Sequence, residues 1–95
     1  MRVRYTESAN DENDQLLAGI AADSPIAAAD VAAAIEATIT RLSSFPRLGA
    51  ETDLPGVRLM IVRPYVYLIF YAIESDALVV RNIRHPNRQR PGERL

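Results

Sequence analysis

His85 is the only histidine in the chain, and it follows closely on Arg81 and Arg84 near the end of a β-compatible run. With Arg58 these residues are the nearest approach to a site that could act on a phosphodiester. Such chemistry needs a general base, a general acid and cations to hold the charge that builds on phosphorus. Arg58, Arg81 and Arg84 could hold that charge, but arginine is too basic for ordinary proton transfer at neutral pH. His85 is the one imidazole in the chain. Glu51 could pair with it only if the loop over residues 46–56 folds back over the sheet. There is no lysine, and no tyrosine follows Tyr71. The set is therefore suited to binding an anion and is poorly equipped to cut one. The structural alternatives are that Arg81 pairs with a carboxylate and that His85 hydrogen-bonds a backbone carbonyl near Pro86. There is no cysteine, and one histidine cannot build a multi-histidine centre. No metal and no cofactor is expected.

The net charge of −1 conceals an asymmetry. Residues 1–40 hold two arginines against seven acids, and residues 41–95 hold nine arginines against five acids. The C-terminal half should present a basic surface, ending in Arg84, Arg88, Arg90 and Arg94. Tyr65, Tyr67 and Tyr71 share one strand face with Ile69. Aromatics beside arginines can stack nucleic-acid bases, but such a row more often packs a sheet with its hydroxyls at the edge.

The elements that must position these residues follow from periodicity. The span Met1–Tyr5 reads as a short strand. Thr6 or Ser8 can cap a helix over about residues 8–22, frayed at its polar start. Ser24-Pro25 restarts a second helix as N-cap and first helical residue. Val31, Ile35, Ile39 and Leu42 mark its apolar face, and Phe45-Pro46 ends it. Residues 46–56 hold two prolines and two glycines and read as a loop. Three strands follow, over 57–62, 65–73 and 77–85. The nine apolar residues from Tyr65 to Ile73 suit a central strand covered on both faces and are too few for a membrane helix. Short connections make these three strands antiparallel neighbours. The prediction is an α+β fold, β-α-α-β-β-β, with a helical hairpin on one face of a mainly antiparallel sheet. Phe70, Val66, Leu68 and Ala72 are expected to form the face that meets Ile35, Ile39 and Leu42. One domain should span residues 1–95, with a flexible basic tail over 86–95; about 64% of the chain's surface can be buried at this size. With no apolar signal core, the expected location is the cytoplasm.

The pattern resembles the RelE/ParE superfamily of type II toxin–antitoxin toxins, and within it the ParE branch. The residues carrying the likeness are Val3-Arg4-Tyr5-Thr6, Ile39–Leu42 running into Phe45-Pro46-Arg47-Leu48-Gly49, Pro55-Gly56-Val57-Arg58, Tyr67–Tyr71 and Val80–His85. The resemblance implies the same helical hairpin on an antiparallel sheet. For function, it implies a plasmid-stabilising toxin that inhibits DNA gyrase and so DNA replication. The toxin would be neutralised in a hetero-oligomer by a ParD-like antitoxin of ribbon-helix-helix type, with DNA reached through the antitoxin or gyrase. The alternatives are a RelE-like ribosome-dependent mRNA endonuclease, or a non-toxic antitoxin-binding relative. RelE-like sites use clustered lysines and arginines with a late tyrosine, or a Glu–His pair in relatives; this chain has no lysine and no tyrosine after Tyr71, so binding is expected rather than catalysis. Arg81, Arg84, His85, Arg88 and Arg90 are the candidate target-binding residues. For the antitoxin the candidates are Leu17, Ala21, Ala28 and Ala32 on the outer face of the hairpin, with Leu59 and Ile61 at a sheet edge.

Overall fold

The computed structural model describes residues 1–86. Strand β1 (Arg2–Tyr5) leads into helices α1 (Glu7–Asp23) and α2 (Pro25–Ser44). Strands β2 (Ala50–Glu51), β3 (Val57–Val62), β4 (Tyr67–Glu74) and β5 (Ala77–Arg84) follow. The sheet order is β1-β5-β4-β3-β2. All pairings are antiparallel except β1 with β5, which is parallel. The α+β architecture and the helical hairpin on the sheet agree with expectation. The position of β1, which the sequence left open, is the edge beside β5.

Two hydroxyl residues fix the helix boundaries. Thr6 Oγ1 accepts a hydrogen bond from the Ala9 N–H at 3.0 Å, which caps α1. Its own N–H donates to the Val80 carbonyl at 3.0 Å, and its hydroxyl donates to the Arg81 carbonyl at 2.9 Å. One residue thus ends β1, starts α1 and ties both to β5. Ser24 closes α1 by donating its N–H to the Ile20 carbonyl and opens α2 by accepting from the Ala27 N–H at 3.1 Å. Pro25 then occupies the first helical position, where its missing N–H costs nothing.

The loop over residues 46–56 contains one element the sequence did not predict. Ala50 and Glu51 pair with Leu59 and Arg58, adding a two-residue strand to the outer edge of β3. Strand β4 begins at Tyr67, two residues later than expected, because residues 63–66 form the turn from β3.

The core lies between the helices and one sheet face. Val31, Ile35, Ile39 and Leu42 of α2 meet Ile69 and Tyr71 of β4 and Leu78, Val80 and Ile83 of β5. Helix α1 adds Ala9 and Leu16, with Leu17 and Ile20 half-buried against the same cluster. This corrects the expected orientation of β4. The tyrosine face is the buried one: Ile69 and Tyr71 are fully buried, and Tyr65 and Tyr67 pack against the same cluster. Phe70 falls on the opposite face, opposite Leu59, and Leu68 lies there opposite Ile61. A strand apolar on both faces carries no period-2 signal to say which face is covered.

Strand β5 departs from strict alternation. Tyr71 is opposite Val80, whereas Phe70 is opposite Asn82, so Arg81 is an extra residue in a β-bulge. Strict alternation would set Ile83 beside Arg81, away from Leu78 and Val80. The bulge reverses the phase, and Ile83 joins them in the core.

Candidate functional site

The last turn of β5 carries the densest set of candidate residues. Arg81 is exposed at the bulge, where Thr6 holds its backbone carbonyl. Arg84 places Nε 3.5 Å from Glu12 Oε2 of α1, and its guanidinium carbon lies 6.0 Å from the centre of the Phe70 ring. His85 meets the Tyr67 ring edge-on at 5.5 Å, and Tyr67 contacts Tyr65 at 5.9 Å. The three rings form a half-buried ladder at this end of the sheet. Arg88, Arg90 and Arg94 lie outside the described residues.

Glu12 organises this corner and was not foreseen. Strand β1 pairs with β5 only as far as Val80, so the edge beyond would be bare. Glu12 Oε1 fills the gap, accepting from the Ile83 N–H at 3.1 Å and from Asn82 Nδ2 at 3.0 Å. A carboxylate from a helix here replaces the missing strand. Nothing in the sequence marks Glu12 among the acids of α1, because the bulge and the end of β1 create its role.

Arg58 is not part of that corner. Its Nη1 donates to the carbonyls of Gly49 at 2.6 Å and Arg47 at 3.2 Å. It lines an open cavity of about 320 Å³ with Arg47, Glu51 and the turn around Pro55-Gly56. Arg58 is opposite Tyr71 in the register, whereas Arg84 is opposite Leu68. That separates the two arginines by roughly 10 Å along the strands and roughly 10 Å across them. Glu51 sits on β2, three strand spacings from β5, or roughly 14 Å. The loop does not fold back to bring Glu51 to His85, and the residues considered for phosphodiester cleavage do not converge.

The hairpin presents a different surface. Leu17 and Ala32 line a cleft of about 170 Å³ with Tyr5, Asn10, Asn13, Ile35, Glu36 and Ile83. Burial raises the Tyr5 phenol above its ordinary pKa, and the Glu36 carboxylate adds to the rise. The Asn13 side-chain oxygen is buried without a hydrogen-bond partner. Ala21 is half-buried. Ala28 does not face outward as expected; it is only 9% exposed. Leu59 and Ile61 lie half-buried beside Phe70 and Leu68 on the sheet face away from the core. Of the residues around the cleft, the sequence identified Leu17 and Ala32 and missed Tyr5, Asn13 and Glu36. The available signal was charge: no basic residue occurs between Tyr5 and Thr40.

Among the described residues, no group of three or more His, Asp or Glu could hold a metal ion. No helix among them is long and apolar enough to cross a membrane.

Comparison with known proteins places this geometry. Residues 3–90 match the family described as "ParE toxin of type II toxin-antitoxin system, parDE". The chain is 30% identical over 90 residues to "Putative toxin Y4kP" of Sinorhizobium fredii, a match covering 95% of this chain and 93% of that protein. Its fold matches a solved structure described as "Chromosomal ParDE TA system from P. aeruginosa" with a TM-score of 0.77. That match covers 90% of this chain and 95% of the other, at 17% sequence identity. The family match over nearly the whole chain and the curated relative agree, and the chain belongs to the ParE family of toxins from type II toxin–antitoxin systems.

Proposed function

We propose that this ParE-family toxin acts by holding DNA gyrase on cleaved DNA, thereby arresting replication in the cytoplasm, and that a ParD-like antitoxin of ribbon-helix-helix type neutralises it. The observation carrying the first part is the separation of Arg58 from Arg84 and His85. Cleavage of RNA requires a proton acceptor, a proton donor and a cation around one phosphate. Here Arg58 lies two strands from Arg84 and three residues away along them, and it is engaged with the Gly49 and Arg47 carbonyls. Arg81, Arg84 and His85 remain together as a surface that can bind a macromolecular target without performing chemistry on it. Arg88 and Arg90 extend that basic stretch in sequence.

The test mixes purified toxin with gyrase and supercoiled plasmid. Linear plasmid should accumulate after denaturation of the trapped complexes, and Arg81→Glu should reduce the yield. Normal supercoiling at excess toxin, with cleavage of ribosome-bound mRNA instead, would overturn the gyrase assignment in favour of a ribosome-dependent nuclease.

A further inference from the structure

We propose that the cleft between α1, α2 and the end of β1 is the seat for a single arginine or lysine side chain of the antitoxin, which anchors the partner on the helical hairpin. This rests on the reading that an antitoxin covers the hairpin and goes further, naming the subsite and the chemistry of its occupant.

Three independent features of the hairpin define that chemistry. The first is charge. Residues 7–40 carry seven acids and no basic residue, so the helical surface attracts a cationic segment and repels an acidic one. The second is the composition of the cleft. Leu17 and Ala32 supply apolar wall, while Tyr5, Asn10, Asn13 and Glu36 supply polar groups. A long basic side chain has the same division, an apolar stem with a cationic head. The third is an unmet acceptor. The Asn13 oxygen is buried and accepts no hydrogen bond, and an orphaned buried acceptor is costly until a donor reaches it. Arginine and lysine bring several donors and no acceptor.

The Tyr5–Glu36 relationship fits the same occupant. Glu36 is exposed on α2 yet close enough to Tyr5 to oppose ionisation of the phenol. A phenol is neutral at neutral pH, and Glu36 is the one carboxylate lining the cleft. A cation seated there would meet the Glu36 carboxylate and the Tyr5 phenol oxygen, and rotation of the Asn13 side chain would bring its buried oxygen to the same donor. An antitoxin carboxylate placed there would face Glu36 at close range, which is unfavourable.

The test uses the intact toxin and the antitoxin encoded with it. Glu36→Gln keeps the shape of an exposed side chain and removes its charge, so its melting curve should match the wild type. Calorimetric titration should show the antitoxin binding about 10-fold or more weakly to Glu36→Gln. Each arginine and lysine in the toxin-binding segment of the antitoxin is then replaced by glutamine in turn. One replacement should weaken binding to the wild-type toxin and add little further loss with Glu36→Gln, the mark of a coupled pair. Binding to Glu36→Gln within about twofold of the wild type overturns the proposal, as does a loss that couples to no basic residue of the antitoxin. In either case wild-type binding still stands as evidence for an antitoxin partner. If the wild-type toxin itself fails to bind, the partner reading falls and takes this subsite with it.

Discussion

The hydroxyl of Tyr71 is locked against the backbone of Gly49: it accepts the Gly49 N–H at 2.9 Å while donating to the Pro46 carbonyl at 2.7 Å. Arg58 grips the same segment from its other side through the Gly49 carbonyl. The Phe45–Gly49 connection is therefore fastened to the sheet by a core tyrosine and a half-buried arginine, and β2 starts immediately after it. The position requires glycine. A Cβ there would lie 2.5 Å from the Tyr71 hydroxyl oxygen, 2.7 Å from Tyr71 Cε1 and 2.9 Å from the Leu59 carbonyl oxygen.

Tyr71→Phe should accordingly cost about 1–3 kcal/mol, because the Gly49 N–H and Pro46 carbonyl both lose their buried partner. In a domain of this size each kcal/mol lowers the melting temperature by roughly 4–8 °C. Gly49→Ala should also destabilise, since one of its contacts is with the Leu59 backbone, which cannot swing aside. A Tyr71→Phe protein that melts with the wild type would show that solvent meets both groups.

The orientation of β4 sets an order between neighbouring substitutions. Ile69→Ala removes a fully buried side chain and should cost about 2–5 kcal/mol. Phe70→Ala should cost less despite the larger ring, because Phe70 is half-buried on the face away from the helices. Chemical denaturation of the two variants checks this directly, and the reverse order would place the helices on the wrong face.

Glu12 should behave as a hydrogen-bond acceptor before it behaves as a charge. Glu12→Ala leaves the Ile83 N–H and Asn82 amide without their acceptor, at a cost of about 1–3 kcal/mol. Glu12→Gln retains a side-chain oxygen for the Ile83 N–H and gives up the ion pair with Arg84, so it should lose less. Hydrogen exchange at Ile83 reports the difference: its amide should exchange markedly faster in Glu12→Ala than in Glu12→Gln.

Ala28→Glu should be poorly tolerated. Ala28 is buried on α2, and a carboxylate placed there must either distort the helix packing or stay desolvated. Loss of soluble protein or a large fall in melting temperature is the expected outcome. For this reason, escape from neutralisation by that variant would carry no information about the antitoxin surface, whereas Glu36→Gln does.

Alkaline stability should carry a contribution from Tyr5. Its pKa is raised in the folded chain by burial and then by Glu36, so the folded state holds its proton more tightly than the unfolded state. The contribution is present in full below the unfolded value near 10 and is lost as pH rises through the folded value. Denaturation midpoints should fall above pH 10, and Tyr5→Phe should shallow that fall.

The two helices and the four longer strands were legible in the sequence alone, whereas the two-residue β2 was not. Ser24-Pro25 dictates where α2 begins, because the Ser24 hydroxyl accepts a first-turn N–H and Pro25 has none to leave unpaired; for α1 the sequence left Thr6 and Ser8 open, and the structure uses Thr6. The spacing of Val31, Ile35, Ile39 and Leu42 dictates which face of α2 is buried, and all four are core residues. The tertiary structure decided what depends on partners distant in sequence. Strand β4 is apolar on both faces, so only the docked helices distinguish Ile69 from Phe70. The bulge at Arg81 shifts the phase of β5, so no alternation rule could place Ile83 in the core or leave Glu12 to complete the edge. The candidate site divides in the same way. Leu17 and Ala32 were legible as an accessible helical surface, but Tyr5, Asn13 and Glu36 come from three elements and converge only when β1 lies parallel beside β5 and the hairpin closes over it.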